Sequence, residues 1–263
     1  MAKKIEKKEV TKAVARKTES AVSTDVLSQM ESDAGIGVGS IGSQDMAIPF
    51  LRMMQDMTPE AKKRDPAFIE GGEPGKMFDT VTKELFESVL VVPCAYKRKL
   101  NEWTPRKDGG GFHGSIPWNP ELAAKFRDKE ARTEKGTHYV DTMEFYVLYQ
   151  SEDGTWKPAV MALSSTQLTV GRRWNSLIKA QVLNGKRGMV PAPIFSTIYK
   201  MDSEERTNDD GTWFVWAPSI EGRIDDLTLY QTAKAFNLSV ESGTVRVQDP
   251  TPEDAASSDD VPF

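Results

Sequence analysis

The residues able to do chemistry are few, and their spacing points away from catalysis. His113 and His138 are the two histidines, Cys94 is the one cysteine, and no histidine–carboxylate cluster accompanies them. Zinc needs about four gathered ligands, so no metal is expected. Neither a serine elbow nor a Walker pattern occurs. The glycine triplet at 109–111 is followed by no Gly-Lys-Ser/Thr and no helix start, so the phosphate cradle and its lysine are both missing. The acid pairs Glu204-Glu205 and Asp209-Asp210 lie in polar, turn-like sequence that suits a solvated face better than proton transfer. Cys94, within Val-Leu-Val-Val-Pro-Cys-Ala-Tyr, reads as a buried strand thiol. These residues describe a protein that is not an enzyme and carries no cofactor.

A second chemistry is well represented, because bases are interleaved with aromatics. One stretch holds Lys97, Lys99, Trp103, Arg106, Lys107 and Phe112; another holds Arg172, Arg173, Trp174 and Lys179, with Lys186 and Arg187 beyond. An aromatic platform gains about 1–3 kcal/mol per stacked base whatever the base. Lys and Arg release counterions from phosphates and make the affinity salt-sensitive. Together they specify sequence-tolerant binding of single-stranded nucleic acid. Trp103, beside a proline and several bases, is the leading platform. Trp156, Trp213 and Trp216 sit in amphipathic strands and read as core, and Trp174 fits either role.

The elements that must position these side chains follow from periodicity. Residues 77–82 and 85–86 form a short hairpin. The strongest strand, 88–103, begins as a buried Val and Leu run and turns amphipathic, sending Lys97, Lys99 and Trp103 to one face and Tyr96, Arg98 and Leu100 to the other. A mobile basic loop, 104–113, follows. Asn119 and Pro120 open a helix expected over 119–135. Strands at 142–150 and 156–163 make a hairpin, Ser164-Ser165 caps a helix running to about Leu183, and 184–188 is a basic loop. Strands at 194–201 and 212–217 flank an acidic loop, 202–211, and a last amphipathic helix spans 225–238. Six or seven strands in hairpins with two or three helices predict a mainly β, α+β domain built as an antiparallel barrel or sandwich rather than a doubly wound sheet.

Charge divides the chain. From Glu241 onward six acids face one base, a net of −5 that equals the charge of the whole protein. Between Asp153 and Asp202 there is no acid but seven bases, an electropositive segment. Three parts result: a basic-then-polar arm at 1–45, a domain at 46–240 and an acidic tail at 241–263, both arms too poor in apolar residues to order themselves. The basic arm either adds phosphate contacts or only solubilises. No run is long enough to span a membrane and no signal-peptide core follows the basic start, which predicts a cytoplasmic protein. The tail ends in Asp259, Asp260, Val261, Pro262 and Phe263, offering a basic pocket on a partner a ring, a terminal carboxylate and two side-chain charges.

That tip, an acidic pair followed by an aliphatic residue, Pro and Phe, closely resembles the C-terminal tip of bacterial and phage single-stranded DNA-binding proteins. Ile-Pro-Phe-Leu-Arg-Met-Met from Ile48, Lys-Arg-Lys-Leu-Asn-Glu-Trp-Thr-Pro-Arg with its glycine-rich loop, and Leu-Ser-Ser-Thr-Gln-Leu extend the likeness over 48–183. The resemblance implies an oligonucleotide-binding (OB-like) barrel with helical insertions that covers DNA strands in phage replication, recombination or repair, in the host cytoplasm. It also implies that the tip recruits polymerase, helicase or recombinase. The two internal helices and the long basic arm exceed a minimal barrel, and a homo-oligomer is allowed. A strand-annealing recombinase, or a virion or interaction protein touching nucleic acid incidentally, is the competing reading.

Overall fold

A computed structural model describes residues 23–34, 36–37, 48–128, 130–186, 188–209, 211–245 and 247. The chain divides into two units, 1–42 and 43–263. Within the first, helix α1 (Thr24–Ser32) is exposed at every described position and occupies part of the arm expected to lack structure.

The second unit carries strands β1 (Leu51–Met53), β2 (Met77–Asp79), β3 (Leu85–Phe86), β4 (Val89–Trp103), β5 (Phe112–Pro117), β6 (His138–Gln150), β7 (Trp156–Ser164), β8 (Val182–Gly185), β9 (Gly188–Pro191), β10 (Thr197–Asn208) and β11 (Gly211–Arg223). Its helices are α2 (Pro120–Lys125), α3 (Gln167–Lys179) and α4 (Leu227–Glu241). The main sheet is antiparallel in the order β11-β10-β4-β6-β7. Strand β4 is long enough to serve two neighbours along one edge: its first residues pair with β10 and its last with β5. The α+β class and antiparallel hairpins agree with the sequence.

Both faces of this sheet are covered, which is why the first half of β4 is an almost unbroken apolar run. On one face Val89 and Val91 join Phe145, Val147 and Tyr149 of β6, Met161 and Leu163 of β7, Tyr199 and Met201 of β10, and Val170 and Trp174 of α3. The small sheet β1-β2-β3 adds Leu51, Met53, Met77 and Phe86. On the other face Val92, Cys94 and Leu148 pack against Leu229 and Ala233 of α4. Helix α3 can lie close because Gly171 has no side chain: a Cβ there would stand 2.6 Å from the Met143 sulfur.

No closed barrel forms among the described residues, because β7 and β11 remain the outer strands of the sheet. The chain before and after β1 reaches both of them. Phe50 bridges Val160 of β7, with the Val160 N–H donating to the Pro49 carbonyl at 2.9 Å. On the far side the Gln55 amide exchanges two hydrogen bonds of 2.9 Å with the backbone of Phe214 in β11. The Gln167 amide, at the start of α3, donates to the Phe214 carbonyl and accepts from the Trp216 N–H. Two side-chain amides thus satisfy a strand edge that would otherwise expose polar backbone.

Three expected elements differ. The helix expected over 119–135 stops at Lys125: Asn119 does cap it, accepting from the N–H groups of Glu121 and Leu122, but the Asp128 carboxylate accepts from the Glu130 N–H in a tight turn, and the charged run beyond offers no apolar stripe. Helix α3 ends at Lys179 rather than near Leu183, and 182–191 is a separate hairpin. The expected acidic loop is mostly strand, since β10 and β11 stay paired from Thr197↔Arg223 to Asn208↔Gly211.

Candidate nucleic-acid interface

Alternation along β4 places Lys97, Lys99 and Trp103 on the face that α4 covers, and each is engaged there. The Lys97 ammonium donates to the Val240 carbonyl at 2.9 Å, in the last turn of α4, and lies over the Tyr146 ring. A cation at a helix C-terminus meets the negative end of the helix dipole. Lys99 pairs at 2.9 Å with Glu144, a carboxylate only 3% exposed that also accepts from the Tyr146 hydroxyl. Burial, reinforced by Glu144, pushes the Tyr146 phenol well above its ordinary range. Lys97 and Lys99 therefore hold the fold together.

Two aromatics of the expected surface are core residues, which corrects the sequence reading. Trp103 is 2% exposed and tilts against half-buried Phe112 at 5.1 Å between centroids. Trp174 is 1% exposed and stacks on Phe145 at 4.2 Å. Neither can offer a face to a base in this conformation. Trp216 is buried, and Trp156 and Trp213 pack against core clusters, as their strand positions suggested. Cys94 is also core, and burial pushes its thiol up to about 12.

Five of the remaining expected cations are exposed. Arg172, Arg173 and Lys179 line the solvent side of α3, and Lys186 is at the β8–β9 turn. Lys107 is exposed and 3.6 Å from Glu130. Arg106 begins a single helical turn after β4, with its side chain outside the described residues. Arg187 and the tip Asp259, Asp260, Val261, Pro262 and Phe263 also lie outside them.

The opposite face of β4 holds a group that sequence reasoning passed over. Arg98 makes a two-pronged pair with Asp141 of β6, at 2.9 and 2.6 Å, and its guanidinium lies 4.1 Å over the ring of Trp118. Asp141 holds the guanidinium charged, raising its pKa further. Trp118 is 37% exposed, so part of its ring remains open to solvent. Tyr96, two residues before Arg98 and on the same face, packs against Phe145. Burial raises its phenol, opposed by the charge of Arg98, a hydrogen bond with Asn175 and the charge of Arg172. Trp118 and Arg98 are thus in contact, Tyr96 interacts with Arg98 and with Asn175 and Arg172 of α3, and Arg172, Arg173 and Lys179 are exposed along that helix.

The local sequence explains the exposure of Trp118. It lies between Pro117, the last residue of β5, and Pro120, the first of α2, so the chain leaves the ladder at this point. The fork of Asp141 then fixes the guanidinium plane, and a planar cation stacked on an indole is a favourable arrangement. Flat exposed aromatic surface beside fixed cations can take a base on its open side and a phosphate along α3.

A model of the Pam3 phage gp34-like protein family matches residues 17–246. No curated protein and no solved structure matches the chain. Among the described residues no group of three or more metal-ligating side chains gathers, and no helix is long and apolar enough to cross a membrane.

Proposed function

The chain belongs to the Pam3 phage gp34-like protein family, and from that premise we propose that it is a non-enzymatic, sequence-tolerant single-stranded DNA-binding protein. The observation that carries this reading is Trp118, partly exposed, backed by Arg98 and bordered through Tyr96 by the cationic stripe of α3. Bases stack on the open indole surface, and Arg172, Arg173 and Lys179 meet the phosphates. In this reading the sheet is an opened OB-like scaffold. Its support is the antiparallel order of β4, β6 and β7 and the way residues 48–55 reach both outer strands. The acidic tip ending at Phe263 recruits replication or recombination proteins.

Titrating intrinsic tryptophan fluorescence with oligo-dT tests the proposal. Quenching that salt reverses, and that duplex DNA produces far more weakly, is expected. No quenching at low salt contradicts strand binding, and annealing of complementary strands at substoichiometric protein would make the protein a recombinase instead. Phe263→Ala is expected to leave the titration unchanged while abolishing capture of a purified replication partner; weakened oligo-dT binding would contradict that division of labour.

A further inference from the structure

The β8–β9 hairpin belongs to none of the layers described above. Its four register pairs, from Val182↔Pro191 to Gly185↔Gly188, have no further strand beside them among the described residues. At its base the hairpin is hydrogen-bonded to the rest of the molecule: the Arg223 guanidinium donates to the Val182 carbonyl at 2.6 Å and the Ala192 N–H donates to the Gln181 carbonyl. Val182, Met189 and Val190 are 43%, 66% and 40% exposed, and the connecting residues are Lys186 and Arg187. A two-stranded ribbon alone in water is marginally stable, so one that carries apolar residues outward is suited to being covered.

The opposite end of the β10–β11 ribbon has complementary properties. Between 202 and 209 the chain carries Asp202, Glu204, Glu205 and Asp209 against Arg206, a net charge of 1 − 4 = −3. Lys200 meets Asp202 and Arg206 meets Glu204, while Glu205 and Asp209 are exposed with no cation beside them among the described residues. Apolar surface is present here too. The Gln55 amide holds its turn against Phe214, the residue opposite Glu205, and Met57 in that turn is 56% exposed.

These two ends cannot meet within one chain. The hairpin base is tied to the Thr197↔Arg223 end of the ribbon, and the rise along β10 places Glu205 about 26 Å and Asp209 about 40 Å away, whereas a hairpin four residues long reaches only about 15 Å. We propose that the β8–β9 hairpin is a docking arm for a second copy of this chain: its cations, with exposed Val182 and Met189, which the register places on one face of the ribbon, seat on Glu205, Asp209 and Met57 of the neighbour. The contact is heterologous, so it repeats head to tail and builds rows of subunits. It needs no nucleic acid and stands apart from the strand-binding reading.

Sedimentation velocity of the full chain without DNA, at about 50 mM and about 500 mM salt, reads the contact. Concentration-dependent association is expected at low salt and dispersal at high salt. Lys186→Glu with Arg187→Glu, and separately Glu205→Lys with Asp209→Lys, should each weaken association at least tenfold. Mixing the two charge-reversed proteins should restore it, because the acidic hairpin of one fits the basic ribbon end of the other. Circular dichroism of each variant checks that it is folded. A monomeric wild-type protein at low salt, association that survives either reversal, or a mixture that stays dissociated would each overturn the proposal.

Discussion

Lys99 and Glu144 show how a charge that looks available for DNA is committed elsewhere. The Glu144 carboxylate is nearly fully buried and depends on the Lys99 ammonium and the Tyr146 hydroxyl. Removing the cation leaves a buried anion short of a partner, so Lys99→Met should destabilise the fold by roughly 1.5–3 kcal/mol. The salt slope of oligo-dT binding should be unaltered; the denaturation midpoint and a salt-titrated affinity read the two effects. Trp103 and Trp118 carry the same lesson. Both stand near proline, but Trp103 ends a strand paired on both sides with β5 and β6, while Trp118 sits between two prolines outside the ladder. Proximity to bases in sequence favoured Trp103; the flanking prolines and the Tyr96, Arg98 alternation were the signal for the other face. Cys94 adds a pH dependence. Burial lifts the folded thiol to about 12 from its ordinary 9.0, and burial likewise lifts Tyr199 to about 12 from 10.0. Groups raised on folding contribute stability below their unfolded values and lose it as pH climbs through the folded ones. The denaturant midpoint should therefore fall between about pH 9 and 12, less steeply in Cys94→Ala.

At the scale of elements, strand periodicity was the most readable property. The alternating half of β4 and the hairpins β2–β3 and β6–β7 follow directly from it, and the Asn119 cap was legible in the Asn-Pro start. Helix ends were less legible: residues 126–135 favour helix locally, but with no apolar stripe they gain nothing by packing as one. The Gln55 and Gln167 amides on β11 depend on contacts distant in sequence, which no local pattern encodes, whereas the hairpin at 182–191 is local and its turn was read only as a basic loop. Helix α3 offers a test of packing. Gly171→Ala would place a methyl against the Met143 sulfur, so a loss of about 1–3 kcal/mol in unfolding free energy is expected by chemical denaturation. An unchanged midpoint would mean that α3 does not press on β6 as described.

For the whole molecule, a sheet covered on both faces leaves the proposed strand-binding surface to its margin, around Trp118 and Arg98, with Tyr96 between Arg98 and α3. Arg172 and Arg173 extend that margin on a rigid helix. Replacing both by alanine should lower the slope of log affinity against log salt by about 1.4, since each phosphate contact on a single strand contributes about 0.7. The measurement that bears most directly on this account is the oligo-dT affinity of Trp118→Ala beside that of the wild-type chain. Loss of one stacked base costs about 1–3 kcal/mol, so a dissociation constant raised roughly 5- to 140-fold is predicted, with the fold preserved by circular dichroism. An affinity equal to that of the wild-type protein would contradict the placement of the strand at this site.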